Sequence, residues 1–148
     1  YQQVGFVLEE RADLKADHLW LAAFLAEQRV EPRLGTVPPL LLRGEHEAAL
    51  ETWFSRYQPD AVISLSAFLE RTEDWYSRYQ GRSAGPAWLV LDALTQTVPG
   101  HFPGIAIDRE TCGRACVDLV VSLLYRNEVG VPPKVYNLQI EGDWLDKH

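Results

Sequence analysis

Short apolar runs alternate with longer amphipathic segments along almost the whole chain. Brief apolar runs bounded by turn residues are typical of strands that are buried on both faces. They predict strands near residues 3–8, 37–42, 61–64 and 87–91, a short strand at 105–107, and a last strand at 135–140.

The segments between these runs have apolar residues at helical spacing. They predict helices at 13–29, 45–57, 67–79 and 110–127. Pro32 and Pro59 end the first two, and Ser66 is a candidate N-cap of the third. Alternating strands and helices indicate βαβ units. The fold class is therefore predicted to be α/β, a mainly parallel sheet flanked by helices.

Composition narrows the functional classes. The chain has 148 residues, enough for one domain, and 47% are hydrophobic, which is enough to build a core. The net charge of −7 repels phosphate, so we expect no binding of nucleic acid by this segment alone. We also expect no membrane association, because no apolar run is long enough to span a bilayer and no signal peptide opens the chain.

Motifs that would indicate catalysis or a bound metal are absent from the sequence. There is no phosphate-binding P-loop, no dinucleotide fingerprint after the first strand, and no G-x-S-x-G or H-E-x-x-H motif. Cys112 and Cys116 fit small buried residues in a reducing cytoplasm, and the four histidines lack metal-ligand spacing. We therefore predict that the chain is not an enzyme and holds no metal and no cofactor.

The final third carries a family resemblance through the order and spacing of its motifs. These are Ile107-Asp108-Arg109-Glu110, then Gly113, Val117-Asp118, Asn127-Glu128-x-Gly130-x-Pro132 and Glu141-Gly142-x-Trp144. Their order resembles the C-terminal part of the sensor domain of lactose-repressor/galactose-repressor transcription regulators. Earlier segments, 3–8, 59–63 and 88–92, are similar to successive strands of the same domain, so the resemblance covers nearly the whole chain.

The resemblance implies a periplasmic-binding-protein-like fold and a domain organisation. Residues 1–104 would form the C-terminal subdomain, 105–130 a crossover segment and helix, and 131–148 a return strand and tail. The chain would be part of a cytoplasmic, homodimeric sensor for a small carbohydrate-related effector. Operator DNA would be bound only through a helix-turn-helix head in a missing N-terminal region.

Two positions depart from the family pattern. Trp20 stands where the family commonly has an arginine that contacts a sugar hydroxyl, and Ser66-Ala67 stands where Asn-Asp is usual. Both departures put a standard sugar ligand in doubt.

Five residues are candidate ligand contacts, and each has a structural alternative. Asp92 ends a strand and could accept hydroxyl hydrogen bonds, or could cap the following loop. Ser64 and Ser66 follow the preceding strand at the same edge, where Ser66 could equally cap a helix. Trp20 could stack on a ligand ring or belong to the core. Arg109 could pair with an anionic ligand or with neighbouring acids.

Glu9, Glu10 and Arg11, just after the first strand, are the weakest ligand candidates. Two other functions compete with the regulator. A periplasmic solute-binding protein of the same fold would be preceded by a signal peptide in the gene, rather than by a helix-turn-helix. A small α/β enzyme would require a nucleophile and a base together in a pocket.

Overall fold

The computed structural model describes residues 1–44, 47–72, 75, 85–93, 102–131, 134 and 137–146. The strands in this part are β1 Val4–Glu9, β2 Leu40–Leu42, β3 Ala61–Ser64, β4 Ala87–Ala93, β5 Gly104–Ala106 and β6 Asp143–Leu145. The helices are α1 Glu10–Lys15, α2 Leu19–Val30, α3 Glu47–Tyr57, α4 Ser66–Arg71 and α5 Arg109–Tyr125. None of the described helices is both long and apolar enough to cross a membrane.

The described strands form one sheet in the order β2-β1-β3-β4-β5-β6. Neighbouring strands from β2 to β5 are parallel, and β6 runs antiparallel to β5. The predicted α/β class, a mainly parallel sheet flanked by helices, is confirmed.

The main core lies on one side of this sheet. Alternate strand residues such as Val7, Val62 and Val90 are buried there, in one cluster with the buried residues of α3 and α4. Trp53 of α3 also donates its indole N–H to the carbonyl oxygen of Pro38 at 2.8 Å. A Cβ atom on Gly5 would overlap the Trp53 ring, so the close approach of α3 to β1 requires glycine at this position.

The other side of the sheet is less completely covered. Phe6 of β1 stacks on Phe24 of α2, with ring centroids 5.0 Å apart. Ile63, Leu89 and Leu91, which alternate with core residues along β3 and β4, are only partly buried. Strand residues at the centre of a parallel sheet are usually buried on both faces, so this side of β3 and β4 has incomplete cover.

The single helix predicted for residues 13–29 is wrong: the structure has two helices, α1 and α2. The chain bends between them because Asp17 and His18 have positive φ angles of 51° and 61°. Aspartate and histidine tolerate this left-handed conformation better than most residues. Nδ1 of His18 also lies 2.6 Å from Oδ2 of the fully buried Asp13, a contact that holds the bend.

The predicted last strand at 135–140 is also wrong. Residues 137–140 are not in a strand, while 135 and 136 lie outside the described residues. The strand is instead β6, at Asp143–Leu145, where Trp144 pairs with Ile105.

The predicted second strand is shorter than expected, because only Leu40–Leu42 pair with β1. The short strand expected at 105–107 begins one residue earlier.

The remaining helix predictions hold with shifted bounds. α3 and α5 lie where helices were expected. α4 begins at Ser66 and is described to Arg71, while most of its predicted continuation to residue 79 falls outside the described residues.

Candidate functional site

The parallel strands place the ends of β1, β3 and β4 at one edge of the sheet. From β1 the chain passes to β2 on one side, and from β3 it passes to β4 on the other side. The edge between β1 and β3 is therefore a topological switch point, where the connections diverge and leave a crevice. In open α/β sheets, ligands bind in such crevices at the carboxyl ends of the strands.

An open pocket of about 240 Å³ lies at this switch point. Its apolar lining comes from Leu8 at the end of β1, Ala12 of α1, and Leu65, Ala67 and Phe68 around the start of α4. Leu8 and Phe68 are almost completely buried, whereas Ala67 is exposed at the mouth. The volume lies below the roughly 300–1,000 Å³ of sites for drug-sized ligands, so the pocket fits a smaller molecule.

Three ionisable side chains line the same pocket: Glu9 at the end of β1, and Arg11 and Lys15 on α1. Arg11 and Lys15 are four residues apart, so they lie on one face of α1. Both are exposed, and neither forms an ion pair with another residue in the described part of the chain. The pocket thus combines an apolar floor with two cations and one carboxylate.

Asp92 and Ser66, two of the predicted ligand contacts, are brought together and bind each other. Oδ1 of Asp92 accepts the Ser66 backbone N–H at 2.6 Å, and Oδ2 accepts the Ser66 hydroxyl at 3.1 Å. Ser66 is therefore not an N-cap, because the residue before α4 is Leu65 and Asp92 supplies the capping oxygen from β4. Asp92 holds the start of α4, which forms one wall of the pocket.

The other three predicted site residues are dispersed. Ser64 is fully buried and donates its hydroxyl to the carbonyl oxygen of Val7 at 2.8 Å, which ties β3 to β1. Trp20 lies partly buried on α2, and Arg109 is exposed at the start of α5. None of Asp92, Ser64, Ser66, Trp20 and Arg109 lines the switch-point pocket.

Residues 107–142 connect β5 to β6. This connection begins and ends at the carboxyl edge of the parallel strands. β5 ends at Ala106, and Ala106 pairs with Asp143, the first residue of the antiparallel β6. The connection between β5 and β6 contains α5, whose N-terminus is capped by Asp108. The carboxylate accepts the Thr111 N–H at 3.0 Å and the Thr111 hydroxyl at 2.6 Å, and these hydrogen bonds lower the pKa of Asp108.

The sequence carries a signal for the two cations of the pocket. Arg11 is among the weakest sequence candidates and Lys15 is not among them, although both follow the first strand, where α/β ligand sites begin. Their four-residue spacing indicates a shared helix face. The described part of the chain contains no cluster of three or more side chains suited to hold a metal ion.

Comparison of the chain with protein-family models, with curated proteins and with solved structures gives no significant match.

Proposed function

We propose that the chain is the effector-binding portion of a bacterial transcription regulator, and that its effector is a small molecule held in the switch-point pocket. The observation that carries the proposal is the coincidence of an open, largely apolar pocket with the divergence of the β1 and β3 connections. The motif order between Ile107 and Trp144, which resembles lactose-repressor-family sensors, supports the regulatory role.

The proposed regulation uses two features at the carboxyl edge, the pocket and the connection between β5 and β6 that contains α5. A bound effector contacts the β1–α1 and β3–α4 junctions and favours one position of this connection over another. A ligand shifts such an equilibrium only by its difference in affinity for the two arrangements. In a homodimeric regulator, that shift would alter the spacing of DNA-binding heads carried elsewhere on the protein.

The test is a screen of small metabolites by saturation-transfer NMR on the 148-residue chain and two variants. Ala67→Trp places a large ring at the pocket mouth, and Ala67 is exposed, so the core is not overpacked. Ala49→Trp is the matched control, because it makes the same change at an exposed position of α3 that does not line the pocket.

We expect at least one compound to bind the unmodified chain and the Ala49→Trp variant, and to lose most of its signal with Ala67→Trp. Equal binding to all three proteins, or binding of no compound, would contradict the proposal.

A further inference from the structure

The described side chains that line the switch-point pocket carry a net charge opposite in sign to that of the chain as a whole. The chain has a net charge of −7, yet two of the three ionisable side chains that line the pocket are Arg11 and Lys15. A local excess of positive charge in a concave, partly apolar site raises the local concentration of anions.

Two neighbouring acids, Glu10 and Asp13, do not line the pocket. Glu10 pairs with Arg43, at the end of β2. Asp13 is fully buried, does not line the pocket, and contacts His18 at 2.6 Å. Glu9 is the one acid among the described lining residues, so the lining carries two positive charges against one negative charge.

We infer that the pocket binds a compact molecule with an anionic group, a carboxylate or a phosphate, joined to an apolar body. Arg11 and Lys15 contact the anionic group at the mouth, and the apolar body lies on Leu8, Leu65 and Phe68. This inference depends on the proposed function for the location of the site and adds the charge of the effector. The inference predicts that a neutral sugar binds the pocket less tightly than a carboxylate or a phosphate, although the family resemblance implies a sugar-like effector.

The inference is tested by titrating ¹⁵N-labelled chain with four compounds that share a phenyl ring. Benzoate and phenyl phosphate carry the two anionic groups, benzamide is neutral, and benzylamine is cationic. Backbone amide shifts of Ala12, Leu65 and Ala67 report on the pocket.

We expect benzoate or phenyl phosphate to shift these amides at lower concentration than benzamide, and benzylamine to bind most weakly. The better anion identifies the effector group as carboxylate or phosphate.

Arg11→Gln and Lys15→Gln should each weaken anion binding by about twofold to fivefold, the range for partly exposed ion pairs. Glu9→Gln should strengthen it, because it removes the negative charge from the lining.

The control is Arg33→Gln, which removes one positive charge at an exposed position after α2 that does not line the pocket. It should leave anion affinity nearly unchanged.

If benzamide shifts the pocket amides as strongly as the anions, the charge inference is wrong while the proposed function survives. If an anion binds but Arg33→Gln weakens it as much as Arg11→Gln, the inference also fails. If no compound shifts the pocket amides, the inference fails, and the broader metabolite screen decides the proposed function separately.

Discussion

Asp92 has a structural role beside the ligand contact that its position in the sequence predicts. In the structure both of its carboxylate oxygens accept hydrogen bonds from Ser66. Hydrogen bonds to a charged acceptor are about twice as strong as neutral ones, so this contact fixes the first turn of α4. Asp92 thereby positions Ala67 and Phe68 at the pocket without lining it.

Replacing Asp92 should therefore destabilise the free protein. We expect Asp92→Ala to lower the free energy of unfolding by about 1 kcal/mol, the usual cost of losing a helix cap. Asp92→Asn should cost less, because its amide oxygen can accept the Ser66 N–H and its amide nitrogen can donate to the hydroxyl. Urea denaturation measures both changes.

The control for this prediction is Glu51→Ala, which removes one negative charge from an exposed position of α3. Its effect should be small, since surface substitutions usually change stability by less than about 0.5 kcal/mol. Unchanged stability in Asp92→Ala, together with a loss of ligand affinity, would return Asp92 to the role of a direct ligand contact.

At the scale of elements, the N-terminus of α5 is stabilised by a side-chain cap, Asp108. None of its residues is buried, so little packing supports it. Asp108 accepts two hydrogen bonds from Thr111 that favour its charged form, and this lowers its pKa below the usual 3.8. A carboxyl whose pKa is lowered on folding contributes stability above its unfolded pKa, and that contribution is lost as the pH falls through the folded value.

We expect the first turn of α5 to lose helicity as the pH falls below about 3.8, the usual pKa of the Asp108 carboxyl. Carbon chemical shifts of Glu110, Thr111 and Cys112 measure this change residue by residue. Asp108→Ala should show reduced helicity at every pH, whereas Asp108→Asn, which remains a good cap without titrating, should show no such transition. An identical pH transition in Asp108→Asn would assign the titration to another group.

The sequence predicted elements best where apolar residues follow one another without interruption. β1, β3 and β4 are apolar on both faces, so each appears as a short hydrophobic run, and all three were located correctly. β6 was misplaced because it is a short edge strand with exposed Asp143 and Trp144, and the preceding segment has the stronger alternation. The break between α1 and α2 depends on the left-handed backbone conformation of Asp17 and His18. The helical spacing of apolar residues does not predict this conformation.

The site was less predictable than the fold because its contacts join distant parts of the chain. The bond between Ser66 and Asp92 spans 26 positions and requires the register of β3 and β4 to be known. The sequence placed both residues at the correct edge of the sheet. It could not indicate that they would satisfy each other, nor that the pocket would form beside β1.

At the scale of the whole molecule, α5 presents an unusually apolar surface to solvent. Val120, Leu124 and Tyr125 are 54%, 61% and 86% exposed. A helix of 17 residues is about 25 Å long. Contiguous exposed apolar patches of more than roughly a few hundred Å² usually mark an interaction site.

We predict that the chain self-associates through α5, with the helix of one copy covering apolar surface of another. Val120→Glu combined with Leu124→Glu should shift the protein towards monomer in sedimentation velocity, without loss of the fold, because both positions are exposed. Val30→Glu is the control, since Val30 is 75% exposed on α2. A chain that stays monomeric at high concentration, or one that responds equally to all three substitutions, would contradict this role of α5.

The central claim is that a small molecule binds between the ends of β1 and β3. The most direct measurement is a map of backbone amide shifts on the ¹⁵N-labelled chain, saturated with the best compound from the metabolite screen. The pocket location predicts the largest shifts at Ala12, Leu65 and Phe68, with smaller changes at Trp20 and Arg109. Largest shifts at Trp20 and Arg109, with Ala12 and Leu65 unmoved, would contradict it.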